Sequence, residues 1–308
     1  MKYSIILPVY NEEENVEMVY ERVSAVLKKI TSEFELIYIN DGSYDRTLAV
    51  LKDLHKRDSR VKVISFSRNF GHQTGVSVGL LKSSGKIVAV LDGDLQDPPE
   101  VLPTFFDKLD EGYDVVYAVR TKRKEFFLKR LAYDSFYRLL QSISQIKIPL
   151  DSGDFCVMNR RVVDAMNSLP ERNRYVRGLR SWVGFKQIGI TYDRPSREAG
   201  ETKYTLAKLF KLAFDGIFSF SYVPLQMMSV GGFIALNLSA LYTVWVIYQK
   251  YFTDNYNQVP GFATNVILIT FFGGLQLFSL GIMGEYMRRM YDETKQRPQA
   301  IIESLIGF

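Results

Sequence analysis

The chain has 308 residues, 24% of them charged and 47% hydrophobic, with a formal net charge of +5. That length accommodates a domain of about 200 residues with a further part beyond it. A single cysteine, Cys156, excludes an intrachain disulfide and suits a reducing compartment, and the mild basic excess, without a dense basic stripe carrying interleaved aromatics, speaks against a nucleic-acid partner.

The N-terminal stretch MKYSIILPVYNEE reads as a strand and a polar turn, without the apolar run and cleavage site of a signal peptide. β-rich runs then recur at intervals of 25 to 31 residues: YSIILPV from Tyr3, FELIYIN from Phe34, VKVISF from Val61, KIVAVLD from Lys86 and YDVVYAVR from Tyr113. Between the first two, Val16, Val19, Tyr20, Val23, Val26, Leu27 and Ile30 recur at helical steps. Asn11 is the expected N-cap of that helix, with glutamates in its first turn. Further helices are predicted around Thr47–Leu54, His72–Lys82 and Pro99–Leu109. Alternating helices and nearly continuous apolar strands predict an α/β fold, a mostly parallel sheet with helices on both faces.

Residues 126–143 form an amphipathic pattern, with Phe127, Leu131, Phe136, Leu139, Leu140 and Ile143 on one side and Lys129, Arg130 and Arg138 elsewhere. Leu206, Leu209, Phe210, Ala213, Phe214, Ile217 and Phe218 predict a second amphipathic helix, here an interfacial one. Gly216–Gln249 and Asn255–Gly284 contain no charged residue, and each exceeds the roughly 20 apolar residues needed to cross a bilayer core. The expected organisation is a domain over 1–204, a juxtamembrane helix over 205–222, spans over 223–249 and 262–285, a loop over 250–261 and a tail over 286–308. Lys203, Lys208, Lys211, Arg288, Arg289, Lys295 and Arg297 flank the spans, against Lys250 alone in the loop, which predicts cytoplasmic termini. Gly231, Gly232, Gly273 and Gly274 would allow close helix contact, within the hairpin or in a homo-oligomer. The tail is read as reaching a neighbouring subunit.

Four polar turns close four of the strands: PVYNEE, NDGSYDRT, SRNFGHQTG and DGDLQDP. In parallel sheets ligands bind beyond the carboxyl ends of the strands, so four such turns at one edge predict a binding cleft. Asp92, Asp94 and Gln96 supply hard oxygen ligands that suit Mg²⁺ or Mn²⁺. His55 and His72 are the only histidines, too few with one cysteine for a zinc cluster. Neither a P-loop nor a dinucleotide-binding glycine motif occurs. A metal-bound diphosphate without those loops points to a nucleotide-sugar donor.

ILPVYNEEENV, INDGSYDRT, SRNFG, LDGDLQDPPE and SREAGETKYTLAKL together resemble the family-2 glycosyltransferases of GT-A fold, and within them the polyisoprenyl-phosphate glycosyltransferases. The resemblance runs from about residue 3 to residue 290. It implies that Pro8, Tyr10, Glu12 and Asp41 line the nucleoside pocket, that Asp92 and Gly93 lie near the ribose and metal, and that Asp94 and Gln96 ligate the metal. It implies that Arg197 and Lys203 hold the donor diphosphate. Arg120, Arg130 and Ser135 become candidates for the phosphate of the lipid acceptor. It also places an acidic residue near the acceptor: Asp154 is the first choice and Asp151 the second. A polyprenyl phosphate is largely ionised near neutral pH, so that carboxylate serves either as a base or as a positioning and charge-stabilising group.

The expected activity is inverting transfer of a hexose to polyprenyl phosphate at the cytoplasmic face of a bacterial inner membrane, with UDP-glucose the first choice of donor and GDP-mannose the second. A processive polysaccharide synthase is disfavoured, since VRGLRSWVG lacks the Gln-x-x-Arg-Trp pattern and two spans make a poor polymer channel. A non-catalytic membrane-anchored binding protein is disfavoured by the intact Asp92, Asp94, Gln96, Arg197 and Lys203.

Overall fold

The computed structural model describes residues 1–94, 96–120, 152–172, 174–192, 221–252 and 261–308. The amphipathic stretches 126–143 and 205–220 lie outside the described residues. The chain divides into one unit of Met1–Gly216 with Gln296–Phe308 and a second of Ile217–Lys295.

The first unit is built on β1 (Tyr3–Val9), β2 (Phe34–Asn40), β3 (Val61–Phe66), β4 (Ile87–Val90), β5 (Val115–Arg120), β6 (Ser152–Asn159), β7 (Gln187–Tyr192) and β8 (Ile302–Ile306), in the order β7-β5-β6-β4-β1-β2-β3-β8. β1 pairs in parallel with β2 and β4, β2 with β3, and β5 with β7. Every residue of β1 and β2 is buried, as an apolar run covered on both faces requires. On one face Ile5, Leu7 and Val9 share a core with Val16, Val19, Val23 and Leu27 of α1 (Val16–Lys28), Leu51 and Leu54 of α2 (Thr47–Arg57), and Leu102, Phe105 and Phe106 of α4 (Leu102–Asp110). On the other lies α3 (His72–Lys82). Its Gly79 faces the sheet so closely that a Cβ there would stand 2.5 Å from Ile6 Cγ2 and 3.0 Å from Ile39 Cδ1. The fold class expected from the sequence is the one observed.

Several boundaries differ from expectation. Asn11 is not the N-cap of α1, which begins five residues later; its backbone is left-handed at φ 54° and its side chain serves a neighbouring turn. The helix predicted from Pro99 opens as a 3₁₀ turn, Pro99–Val101, before α4. The run from Lys86 shortens to Ile87–Val90 because the residues after it turn away from the ladder. β6 enters antiparallel to both β4 and β5, and α5 (Arg160–Asn167) and α6 (Val176–Trp182) follow it. The tail forms β8, antiparallel to β3 of its own chain, with Ser67 N donating to Ile301 O at 3.0 Å. The strand edge that the tail covers belongs to this same sheet, so no neighbouring subunit is needed to receive it.

In the second unit, α7 (Val223–Phe252) and α8 (Gly261–Thr294) are long and apolar enough to cross a membrane, and no part of their apolar windows is buried. Tyr286 Oη donates to Ser221 O at 2.7 Å. The would-be Cβ positions of Gly231, Gly232, Gly273 and Gly274 have no neighbour within 4 Å, so these glycines are not where the hairpin packs.

The approach of α3 to the sheet sets the height of its first turn above the strand ends. Gly79→Ala is expected to lower stability by about 1–3 kcal/mol through overpacking against Ile6 and Ile39. Thermal unfolding of the detergent-solubilised chain measures it, and an unchanged midpoint would mean that α3 can lift off the sheet without cost.

Candidate active site

The four polar turns do share one edge, and side chains lace them together. Asn11 N donates to Ser43 Oγ at 2.9 Å, Tyr44 N to Asn11 Oδ1 at 3.1 Å, Glu12 N to Thr47 Oγ1 at 3.0 Å and Arg46 N to Glu13 Oε2 at 2.9 Å, which joins the turns after β1 and β2. Asp41, 4% exposed, accepts from Phe70 N at 2.6 Å and Gly71 N at 2.9 Å, which joins the turn after β2 to the one after β3. Burial pushes its carboxyl above the usual range, against those two amides. In the turn after β4, a Cβ on Gly93 would meet Val9 Cγ1 at 2.7 Å and Pro8 O at 3.2 Å. A side chain there would lift the acidic turn off β1.

β6 supplies the carboxylate from the other side. It runs antiparallel to β4 with Val90 opposite Cys156, so two residues further the same register brings Asp92 level with Asp154. The structure confirms the meeting. His72 Nε2, in the first turn of α3, lies 3.1 Å from Asp154 Oδ2 and 3.6 Å from Asp92 Oδ1. Arg177 Nε of α6 donates to Asp154 Oδ1 at 2.8 Å, and Gln73 Nε2 donates to Asp154 Oδ2 at 3.1 Å. Burial alone would raise the Asp154 carboxyl, but the Arg177 charge and the His72 hydrogen bond hold it far below the usual carboxylate range. The imidazole is raised in turn to about 9: burial resists the proton, and the hydrogen bond to Asp154 with the charges of Asp92 and Asp154 outweighs it. The His72 side chain keeps 39% of its surface in solvent, which limits that resistance.

Asp92 is pushed up to about 6 by burial and by Asp97, Asp154 and Asp94, with His72 opposing. Its Oδ1 is buried without a hydrogen-bond partner. A buried carboxylate oxygen with spare capacity among like charges is what a divalent cation would relieve. Asp94 Oδ1 accepts from Gln96 N at 3.2 Å, which keeps the two side chains in one turn. Among the described residues no group of three or more His, Cys, Asp or Glu side chains is gathered closely enough to hold a metal. Asp92, Asp94 and Gln96 supply oxygen ligands of the kind Mg²⁺ or Mn²⁺ would take together with those of a substrate diphosphate.

Of the other candidates, Tyr10 is 37% exposed at the rim, edge-to-face with Tyr44 at 6.1 Å. Glu12 Oε2 accepts from Asn15 Nδ2 at 2.6 Å. Pro8 is buried, with its Cβ 3.4 Å from the would-be Cβ of Gly75 in α3. Arg120 closes β5 at this edge, its side chain outside the described residues, as are Asp151, Arg130, Ser135, Arg197 and Lys203. Sequence reading passed over His72, Gln73 and Arg177. The signal for the first two was their place in a strand-end turn, SRNFGHQTG. Arg177 carries no local signal, because its partner is 23 residues away.

Asp154 and Arg177 form a mostly buried pair, their side chains 6% and 23% exposed. Asp154→Ala is expected to cost about 2–3 kcal/mol at neutral pH by removing the counter-charge that Arg177 Nε meets at 2.8 Å, and Asp154→Ala with Arg177→Met to recover most of it. A carboxyl with a depressed native pKa stabilises fully above its unfolded value of about 4 and progressively less below it. The penalty of Asp154→Ala should therefore shrink as denaturation is repeated below about pH 4, and a pH-independent penalty would contradict the pair.

Comparison with known proteins shows the family. The family model for glycosyl transferase family 2 matches residues 4–166. A glycosyltransferase of Bacillus subtilis, YkcC, is 46% identical over 308 residues, 100% of this chain and 95% of its own. The bactoprenol glucosyl transferase of Shigella phage SfX is 40% identical over 305 residues, 99% of each chain. Among solved structures, glucosyl-3-phosphoglycerate synthase of Mycobacterium tuberculosis covers 70% of this chain and 78% of its own at 21% identity and a TM-score of 0.47. With the family model matching more than half the chain and relatives aligned along nearly all of it, this protein is a glycosyltransferase and belongs to glycosyl transferase family 2.

Proposed function

We propose that this enzyme transfers glucose from UDP-glucose to a polyprenyl phosphate at the cytoplasmic face of a membrane. The observation that carries the reading is the convergence of Asp92 and Asp154 on His72 at the carboxyl edge of the parallel strands. It puts an acidic turn and a fixed carboxylate side by side. The acceptor is supported by the similarity to bactoprenol glucosyl transferases along nearly the whole chain and by two helices able to span a bilayer. The excess of basic residues outside the loop between those helices supports cytoplasmic termini.

In the reaction, a phosphate oxygen of the lipid forms a bond to the anomeric carbon while the bond from that carbon to the UDP oxygen breaks with inversion. Pro8, Tyr10, Glu12 and Asp41 shape the nucleoside end, and Arg197 and Lys203 receive the diphosphate. Asp92, Asp94 and Gln96 would hold Mg²⁺ or Mn²⁺, which neutralises charge developing on the leaving diphosphate when bound. Arg120, Arg130 and Ser135 are assigned to the acceptor phosphate. That phosphate is already an anion, so its attack does not require a strong base. Asp154 cannot be one, because the charges that hold it ionised also make it a poor proton acceptor. Its work is to position: held by Arg177, His72 and Gln73, it gives the acceptor side of the site a fixed geometry.

The test is transfer by the detergent-solubilised chain, with undecaprenyl phosphate, Mg²⁺ or Mn²⁺, and radiolabelled UDP-glucose, GDP-mannose or UDP-GlcNAc in turn. Label should pass to the lipid phase from UDP-glucose, vanish with EDTA, and fall by about 100-fold or more in Asp94→Ala. Lipid labelled from GDP-mannose would replace the donor assignment, and no labelled lipid from any donor would overturn the reaction.

A further inference from the structure

The amide of Gln73 is used at both ends, and it joins three elements around Asp154. Its Nε2 donates to Asp154 Oδ2 at 3.1 Å, and its Oε1 accepts from Val176 N at 2.8 Å. Val176 is the first residue of α6, and the next residue is Arg177, the counter-ion of Asp154. The amide can sit only this way round. Flipped, it would set its oxygen against a carboxylate and its NH₂ against a backbone N–H, two repulsions in place of two hydrogen bonds. Gln73 itself stands on the first turn of α3, whose height is set by the close packing of Gly79 on Ile6 and Ile39. A single rigid link thus runs from the sheet through α3 to the carboxylate, and from α3 to the helix that carries the carboxylate's cation.

We infer that Gln73 is a positioning residue for sugar transfer: it fixes the Asp154 carboxylate and the start of α6 in one geometry, so that Asp154 and Arg177 meet where the sugar carbon is attacked. This rests on the reading of Asp154 as the acceptor-side carboxylate. Two ordinary hydrogen bonds that merely stitch α3 to α6 would have no bearing on rate. A positioning role does, because small displacements of a charged group at a reacting centre cost about 100-fold.

Gln73→Glu separates the two roles. It keeps an acceptor for Val176 N, loses the donor to Asp154 and turns a carboxylate towards it. In the transfer assay on the full chain in detergent, kcat should fall by about 100-fold while KM for UDP-glucose stays within about twofold; the added like charge beside Asp154 should also lower the melting midpoint. Gln73→Met, which adds no charge, should lose about 10-fold and covers the case in which the glutamate variant does not fold. In an Asp154→Asn background both substitutions should cost little more, since residues acting as a unit are not additive. A wild-type kcat in Gln73→Glu or Gln73→Met beside a slow Asp154→Asn overturns the inference alone, as do full losses that persist in the Asp154→Asn background. Wild-type turnover in Asp154→Asn removes the reading of Asp154 and the inference with it. A wild-type chain that labels no lipid removes the proposed reaction and both residue roles together.

Discussion

Two carboxylates a few ångströms apart repel by about 4 kcal/mol at an effective dielectric of about 20, and burial adds the loss of hydration. That is a large part of the 5–15 kcal/mol that holds a typical domain folded. Asp92 and Asp154 both approach His72 Nε2, so this chain carries that load at the edge of its main sheet. The compensation is unequal. Arg177, His72 and Gln73 surround Asp154 and hold it ionised, whereas Asp92 has a raised pKa and a buried oxygen that the more distant His72 approaches without a hydrogen bond. One carboxylate is finished by the protein, and the other is left for something that binds.

Strand direction makes this meeting possible. A parallel strand delivers its following turn to the carboxyl edge, and β1, β2, β3 and β4 do so with four polar turns. Asp154 stands near the start of its strand, so a parallel β6 would have carried it to the opposite edge. Inserting β6 antiparallel between β4 and β5 reverses that and sets its first residues level with the end of β4. β7, parallel to β5, ends at the same edge, so the segment that follows, with Arg197 and Lys203, leaves from there. The glycines complete the arrangement. Gly79 lets α3 sit low on the sheet, and Gly93 lets the acidic turn close against β1.

The two units suit different surroundings. The α/β unit gathers charged side chains at one edge of its sheet, and the two long helices expose apolar side chains and are long and apolar enough to cross a membrane.

Much of this was legible in the residues alone, and the reason is locality. The apolar runs of β1, β2 and β3 and the extent of α3 follow from hydrophobic period and from turn residues adjacent in sequence, so their bounds match the expectation. The acidic turn of Asp92 and Asp94, and two charge-free windows able to span a membrane, are likewise local patterns. Where a residue's partner lies far along the chain, that logic stops. Asn11 reads as a helix cap until its amide is seen to serve Tyr44, and the C-terminal tail reads as free until β3 offers it an edge. His72, Gln73 and Arg177 acquire meaning only from Asp154, which is 82, 81 and 23 residues away from them. The sequence by itself determined β1 to β5, the four helices after the first four strands, two stretches able to span a membrane and which edge is polar, because hydrophobic period and turn chemistry act between neighbours. Only the tertiary structure decided which charges face one another, because that depends on the direction of β6 and on how closely α3 can approach the sheet.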